Sequence, residues 1–209
     1  MKSSKKATLY YIHDPMCSWC WGFLPVWDQV QHALAGKVKI QYVLGGLAPD
    51  TQQAMPESMQ LAIQETWKNI QQEIPATKFN TDFWKQCHPR RSTYPACRAV
   101  LAAGMQGVQY SQDMLLAIQQ AYYLKAKNPS DNNVLIDLAS EIGLDNKRFE
   151  EDFLSQHCKT LLSNELRLAS ELEAHSFPAL ALSHKETNTV IAIDYNNSET
   201  IVANILRRL

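Results

Sequence analysis

Neither sign of charge is in excess in this chain: 20 lysines and arginines face 21 aspartates and glutamates, for a formal net charge of -1. A chain so balanced has no general electrostatic pull toward nucleic acid or an anionic membrane surface, so neither is expected as a partner. Long apolar runs are also lacking. Residues 1–6 are basic, but the apolar stretch behind them is short and Asp14 soon follows, which fits neither a secretory signal nor a membrane span. The chain therefore reads as cytoplasmic. Its cysteines number five, an odd count with no export signal. A structural disulfide framework is not expected from that, and a catalytic or sensing pair is the better reading. Internal repeats and low-complexity segments are absent too. With 209 residues, the chain can form one large domain or one domain carrying an insertion.

What is present is a Cys-x-x-Cys pair, Cys17-Ser18-Trp19-Cys20, placed between a β-type run at residues 8–12 and a helical pattern that continues to about Ala35. A helix N-terminus carries partial positive charge and unpaired N–H groups. A thiolate there is stabilised, which makes Cys17 the attacking nucleophile. Cys20 lies one turn further on, within reach of a mixed disulfide formed on Cys17, so the pair can cycle between dithiol and disulfide. Two buried thiols at this spacing by coincidence would also make the strand-to-helix context an accident. A zinc half-site would need two more ligands, and without a second Cys-x-x-Cys only Cys87-His88 or His157-Cys158 could improvise them.

Residues 37–44 alternate and are β-branched at Val38, Ile40 and Val43, which predicts a second strand, parallel to the first across a βαβ crossover. Pro25 falls inside the intervening helix, where it removes a hydrogen bond and predicts a kink near Trp21–Pro25. Between about residues 48 and 176 no strand pattern appears. Helical segments are expected at 55–72, 82–86, 94–105, 111–125, 133–142, 147–154 and 156–174, separated by prolines, the Gly104/Gly107 pair and Gly143, with Asp145 or Asn146 as a cap. Residues 179–182 and 189–193 then read as a hairpin with a longer loop, and Asn197-Ser198 caps a last helix. The fold class is α/β.

The βαβ and ββα halves, the Cys-x-x-Cys at the first helix and Phe177-Pro178 before the hairpin resemble a thioredoxin fold. The helical block between the halves resembles the DsbA-like branch of thiol–disulfide oxidoreductases. Asp14 to Gly22 is similar to the cytosolic FrnE-like members, and Ser92 to Ala99 resembles the segment leading into a helix of the insertion. The resemblance implies a discontinuous thioredoxin-like domain of residues 1–48 and 175–209, with 49–174 as an inserted helical domain. It implies a protein-disulfide oxidoreductase or isomerase with catalytic Cys17, Cys20 and a cis proline at Pro178. Disulfide-containing proteins or small thiols would be its partners. No bound cofactor is expected; electrons would come from an external thiol reductant or glutathione. Periplasmic DsbA enzymes carry Pro-His where this chain has Ser18-Trp19, so a less oxidising couple is expected. Kappa-class glutathione transferases share the inserted topology but usually place serine at the first active position. A glutathione-dependent transferase or isomerase therefore stands as an alternative, and a redox sensor or partner-binding module as another.

Around the pair, Ser18, Trp19 and Phe177 are candidates for contacting substrate, with the Phe177 backbone free to pair with an extended peptide. Ser92, Thr93 and Arg90 are further candidates, and Arg90 or Arg91 could receive a carboxylate; a solvated basic loop is the plainer alternative. His13 can act as a cation or proton carrier beside Cys17, or be an ordinary strand-end histidine. Asp14 can modulate the thiols, or be a turn acceptor at the helix start. Trp19 is expected exposed and Trp21 packed. Cys97 and Cys158 read as buried thiols, and a second pair of Cys87 with Cys97 is conceivable.

Overall fold

A computed structural model describes residues 6–185 and 187–209. The basic stretch at 1–5 and Glu186 lie outside the described residues. Strand β1 (Thr8–His13) leads into helix α1 (Ser18–Leu34), which returns to β2 (Lys39–Leu44). The chain then leaves the sheet through α2 (Glu57–Glu73), the short α3 (Phe83–Gln86), α4 (Tyr94–Gln106), α5 (Val108–Lys125), α6 (Asn132–Glu141), α7 (Asn146–Leu154) and α8 (Gln156–Glu171). It comes back as the hairpin β3 (Ala179–His184) and β4 (Thr187–Ile191), and ends in α9 (Ser198–Leu206). Among the described residues the sheet has the order β2-β1-β3-β4. β1 and β2 pair in parallel, with Tyr11 opposite Tyr42; β1 and β3 are antiparallel, with Tyr11 opposite Leu180. This is an α/β thioredoxin fold with a helical insertion.

Side chains alternate across a strand, and β1 uses both faces. Leu9 and Tyr11 pack with Phe23 and Trp27 of α1 and Ile201 and Ile205 of α9. Ile12 packs on the other face with Val43, Ala181, Ala169 and Leu172, so α8 covers the sheet there. The remaining helices bury their own core around Trp67, Phe83, Met114, Tyr123 and Phe149, joined by Met16 and Leu44 from the sheet side. Burying each such large side chain stabilises by about 1.5–3 kcal/mol.

Two expectations need correction. The β3–β4 connection is residues 185 and 186 alone, because the strands extend to His184 and begin again at Thr187; Lys185 sits at φ 49. Gly104 does not break a helix. It lies inside α4, and only Gly107 separates α4 from α5. Helix α1 runs on through Pro25 to Leu34. Gly22 on α1 is a close-approach position: a Cβ there would lie 2.9 Å from Cδ1 of Ile74, so its lack of a side chain lets α2's end pack against α1.

Candidate functional site

The site starts where β1 ends. Asp14, fully buried, folds the chain back on itself: its backbone carbonyl accepts from Cys17 N at 3.0 Å, and its Oδ1 accepts from Met16 N at 2.7 Å. That turn makes Cys17 the N-cap of α1, with no side chain capping the helix. Its other oxygen, Oδ2, accepts from Leu47 N at 2.7 Å and from the Thr93 hydroxyl at 2.6 Å. One carboxylate thus ties the start of α1 to the exit of β2 and the entry of α4. Burial raises its pKa, and these hydrogen bonds pull it partly back. Asp14 is therefore the turn acceptor that one of its two readings described.

The two thiols differ. Cys17 is 6% exposed and Cys20 not at all. The Cys17 thiol donates to the carbonyl of Phe177 at 3.3 Å. The Cys20 thiol is pushed well up by burial and by the neighbouring Cys17. All five cysteines are free. The Phe177–Pro178 peptide bond is cis, and the Phe177 ring lies over Gly45, where a Cβ would come within 2.1 Å of it. β2's exit thus holds the Phe177–Pro178 segment against Cys17.

A cavity of about 340 Å³ opens beside the Cys17 sulfur, lined by Cys17, Trp19, Arg91, Tyr122, His175 and Phe177 among others. Trp19 is half-buried rather than exposed, its ring 4.9 Å from that of Tyr195. Trp21 is packed as expected, stacked on Tyr123 at 5.6 Å. Ser18 borders the cavity, but its hydroxyl is taken by Trp67 Nε1 at 2.8 Å, deep in the helical core.

Several candidates go elsewhere. Ser92 and Thr93 are each 2% exposed. Ser92 binds the chain to itself, its hydroxyl accepting from Thr51 N and its carbonyl from Ser130 Oγ. Thr93 reaches the site only through Asp14. Arg90 turns away to Asp131 and the carbonyl of Ser130, and its neighbour Arg91 lines the cavity instead. His13 is no cation: burial lowers its pKa to about 3, and its ring stacks on Tyr11 at 5.1 Å. Cys87 donates to the carbonyl of Ala126, whereas Cys97 points to Asp14 Oδ2 at 3.7 Å, so the two are directed to different partners. Cys158 donates to the carbonyl of Arg98. Among the described residues, no three His, Cys, Asp or Glu side chains are grouped to hold a metal ion.

Sequence reasoning missed Tyr122 and His175. Nothing in α5 marks Tyr122 as a cavity residue. His175 could have been found, because it stands three positions before Pro178, and whatever flanks that proline must pass near Cys17.

The Thioredoxin family model matches residues 10–203. Curated relatives include two proteins named ClpXP adapter protein SpxH. That of Bacillus subtilis (strain 168) is 27% identical, over 84% of this chain and 58% of its own length. That of Bacillus cereus (strain ATCC 14579) is 22% identical, over 98% of this chain and 69% of its own length. This chain thus spans little more than half of the Bacillus subtilis protein. Among solved structures, a Nitrosomonas europaea protein described as a candidate protein disulfide isomerase superposes with TM-score 0.84 at 24% identity, covering 97% of each chain. The cytosolic disulfide reductase DsbM of Pseudomonas aeruginosa superposes with TM-score 0.76 at 23% identity, covering 96% of this chain and 98% of its own. At these identities the likeness is one of fold. No helix of the described residues is long and apolar enough to cross a membrane.

Proposed function

This chain belongs to the thioredoxin family, and we propose that within it the protein is a cytoplasmic thiol–disulfide oxidoreductase working in the reducing or isomerising direction on protein or small-molecule disulfides. The observation that carries this reading is Cys17 as the N-cap of α1, its sulfur against the Phe177 carbonyl and open to the cavity, with Cys20 sealed one turn below. The Cys17 thiolate attacks one sulfur of a substrate disulfide. A bond forms between Cys17 and that sulfur, and the other substrate sulfur leaves as a thiolate that takes up a proton. Cys20 then loses its proton and attacks Cys17. The Cys17–Cys20 disulfide forms, the second substrate thiol is released, and two electrons have passed to the substrate. An external dithiol, or two molecules of a monothiol such as glutathione, returns the pair to its reduced state.

Substrate recognition in this reading belongs to the cavity walls. Trp19 and Phe177 offer apolar contact, the Phe177 backbone can pair with an extended peptide, and Arg91 can receive a carboxylate. The cytosolic DsbM fold neighbour, which has also been solved with glutathione, supports a cytoplasmic reductase over an exported oxidase.

The test is insulin reduction with an external thiol donor, together with trapping in cells by a Cys20→Ala variant. Cys17→Ser should abolish turnover. Cys20→Ala should stop turnover yet leave partners attached to Cys17, and protein partners favour this reading, whereas glutathione alone favours a glutathione-dependent transferase or isomerase. The names of the curated relatives support a second reading, an adapter protein that works with ClpXP. In that case a Cys17→Ser, Cys20→Ser double variant would keep its partner, and the wild-type chain would react stoichiometrically instead of turning over.

A further inference from the structure

We propose that a second cavity, between β2 and helices α4, α5 and α8, binds a small primary amine whose ammonium group sits against Glu165. The cavity has a volume of about 390 Å³, within the span of about 300–1,000 Å³ that small-molecule sites occupy. A smaller lobe of about 220 Å³ adjoins it and shares Gln31, Tyr42, Gln112 and Leu115 with it. None of its walls belongs to the cavity at Cys17.

The chemistry of the walls selects the ligand. No lysine or arginine lines either lobe, whereas Glu165 lines the first and Asp28 and Asp113 the second. Glu165 accepts from Leu44 N through Oε2 at 3.0 Å, which leaves Oε1 for a ligand, and among the described residues no cation pairs with it. Burial raises its pKa, as expected of a carboxylate that lacks a counter-charge. An ammonium group has three donors and no acceptor, which matches walls that hold carboxylates and no cation. Leu44, Val100, Leu101 and Leu115 supply an apolar wall for the rest of the molecule. An anionic ligand would face only like charge.

Isothermal titration calorimetry on the full chain with 2-phenylethylamine, 2-phenylethanol and phenylacetate tests this. The amine should bind saturably, about tenfold or more tighter than the alcohol, and phenylacetate should not bind. Glu165→Gln should bring the amine down to the level of the alcohol. Ser111→Trp, which fills the cavity from α5, should abolish binding of both, with both variants shown to be folded by urea unfolding. Equal binding of the three probes, preference for phenylacetate, no saturable binding of the amine, or wild-type affinity in either variant would overturn the proposal.

Discussion

Asp14→Ala should be among the most damaging single changes near the thiols, and its cost can be worked from the structure. The substitution removes the acceptor from Met16 N, Leu47 N and the Thr93 hydroxyl, at 2.7, 2.7 and 2.6 Å. The hydroxyl keeps an alternative, the carbonyl of Ala48 at 3.4 Å. The two backbone N–H groups do not, and each buried donor left unpaired costs about 1–3 kcal/mol. Release of a buried carboxylate offsets part of that, so a net loss of about 2–4 kcal/mol is expected. Asp14→Asn should fall between: its amide oxygen can serve Leu47 N and Thr93, while its NH₂ faces the Met16 N–H, at a cost of about 1–2 kcal/mol. The pH dependence has a definite sign. Burial raises the Asp14 pKa above its ordinary 3.8, so the native state holds its proton longer than the unfolded chain does. This group's contribution to stability therefore falls as pH rises from its unfolded to its folded pKa. The gap between wild type and Asp14→Asn should then be widest at the acid end and narrow above that window. Urea unfolding of the reduced protein across the acid to neutral range reads both effects. Asp14→Ala within about 0.5 kcal/mol of wild type, or a gap that widens with pH, would refute the reasoning.

Alkylation of the reduced, folded protein should label Cys17 well before Cys20, since Cys20 is sealed and its thiol pushed up; peptide mapping at short times checks the order. Arg91→Ala should raise KM several-fold for an acidic disulfide such as oxidised glutathione and leave kcat nearly unchanged, as expected for loss of one half-buried charge contact. Arg90→Ala should instead lower stability by about 1–3 kcal/mol, because it strips the partner from Asp131 and from the Ser130 carbonyl, and leave KM alone. Trp67→Phe should cost about 1–2 kcal/mol in urea unfolding, since it leaves the buried Ser18 hydroxyl without its 2.8 Å donor.

The parts of this fold legible in the sequence are those set by neighbours along the chain. Alternation gave β2, prolines and glycines bounded the helices, and Asp145 caps α7 by accepting from Arg148 N as its position suggests. The Cys-x-x-Cys between a strand and a helix pointed to the thiol–disulfide chemistry proposed for the site. The site's walls were not legible to the same degree, because they are assembled by partners far apart in sequence. Arg90 and Arg91 are indistinguishable in a one-dimensional reading; only the partner offered by Asp131, 41 residues on, decides which of them is left for the cavity. Thr93 reaches the site only through Asp14, and Ser92 is bonded to Thr51 N and Ser130 instead, so both hydroxyls serve the fold. A small hydroxyl at a chain crossing is often worth more as a buried bond than as a substrate contact, and the sequence carries no sign of which applies.

The inserted helices meet the sheet and α1 through apolar contacts and at a few buried polar groups, and the polar groups lie close to the thiol pair. Asp14 reaches α4 through Thr93; Ser18, the residue after Cys17, reaches α2 through Trp67; and Glu165 of α8 holds the Leu44 N–H at the end of β2. Each contact is a hydrogen bond to a group within a few residues of Cys17 or of the β2 exit that seats Phe177. Hydrogen bonds of this kind are directional and lose most of their worth when misaligned. A shift of the helical block relative to the sheet would therefore move the start of α1 and the Phe177 carbonyl before it disturbed the apolar cores, which tolerate small slides better. In the proposed function, substrate held between Arg91 and Phe177 would bear on that same joint, which would couple binding to the alignment of Cys17 through Asp14.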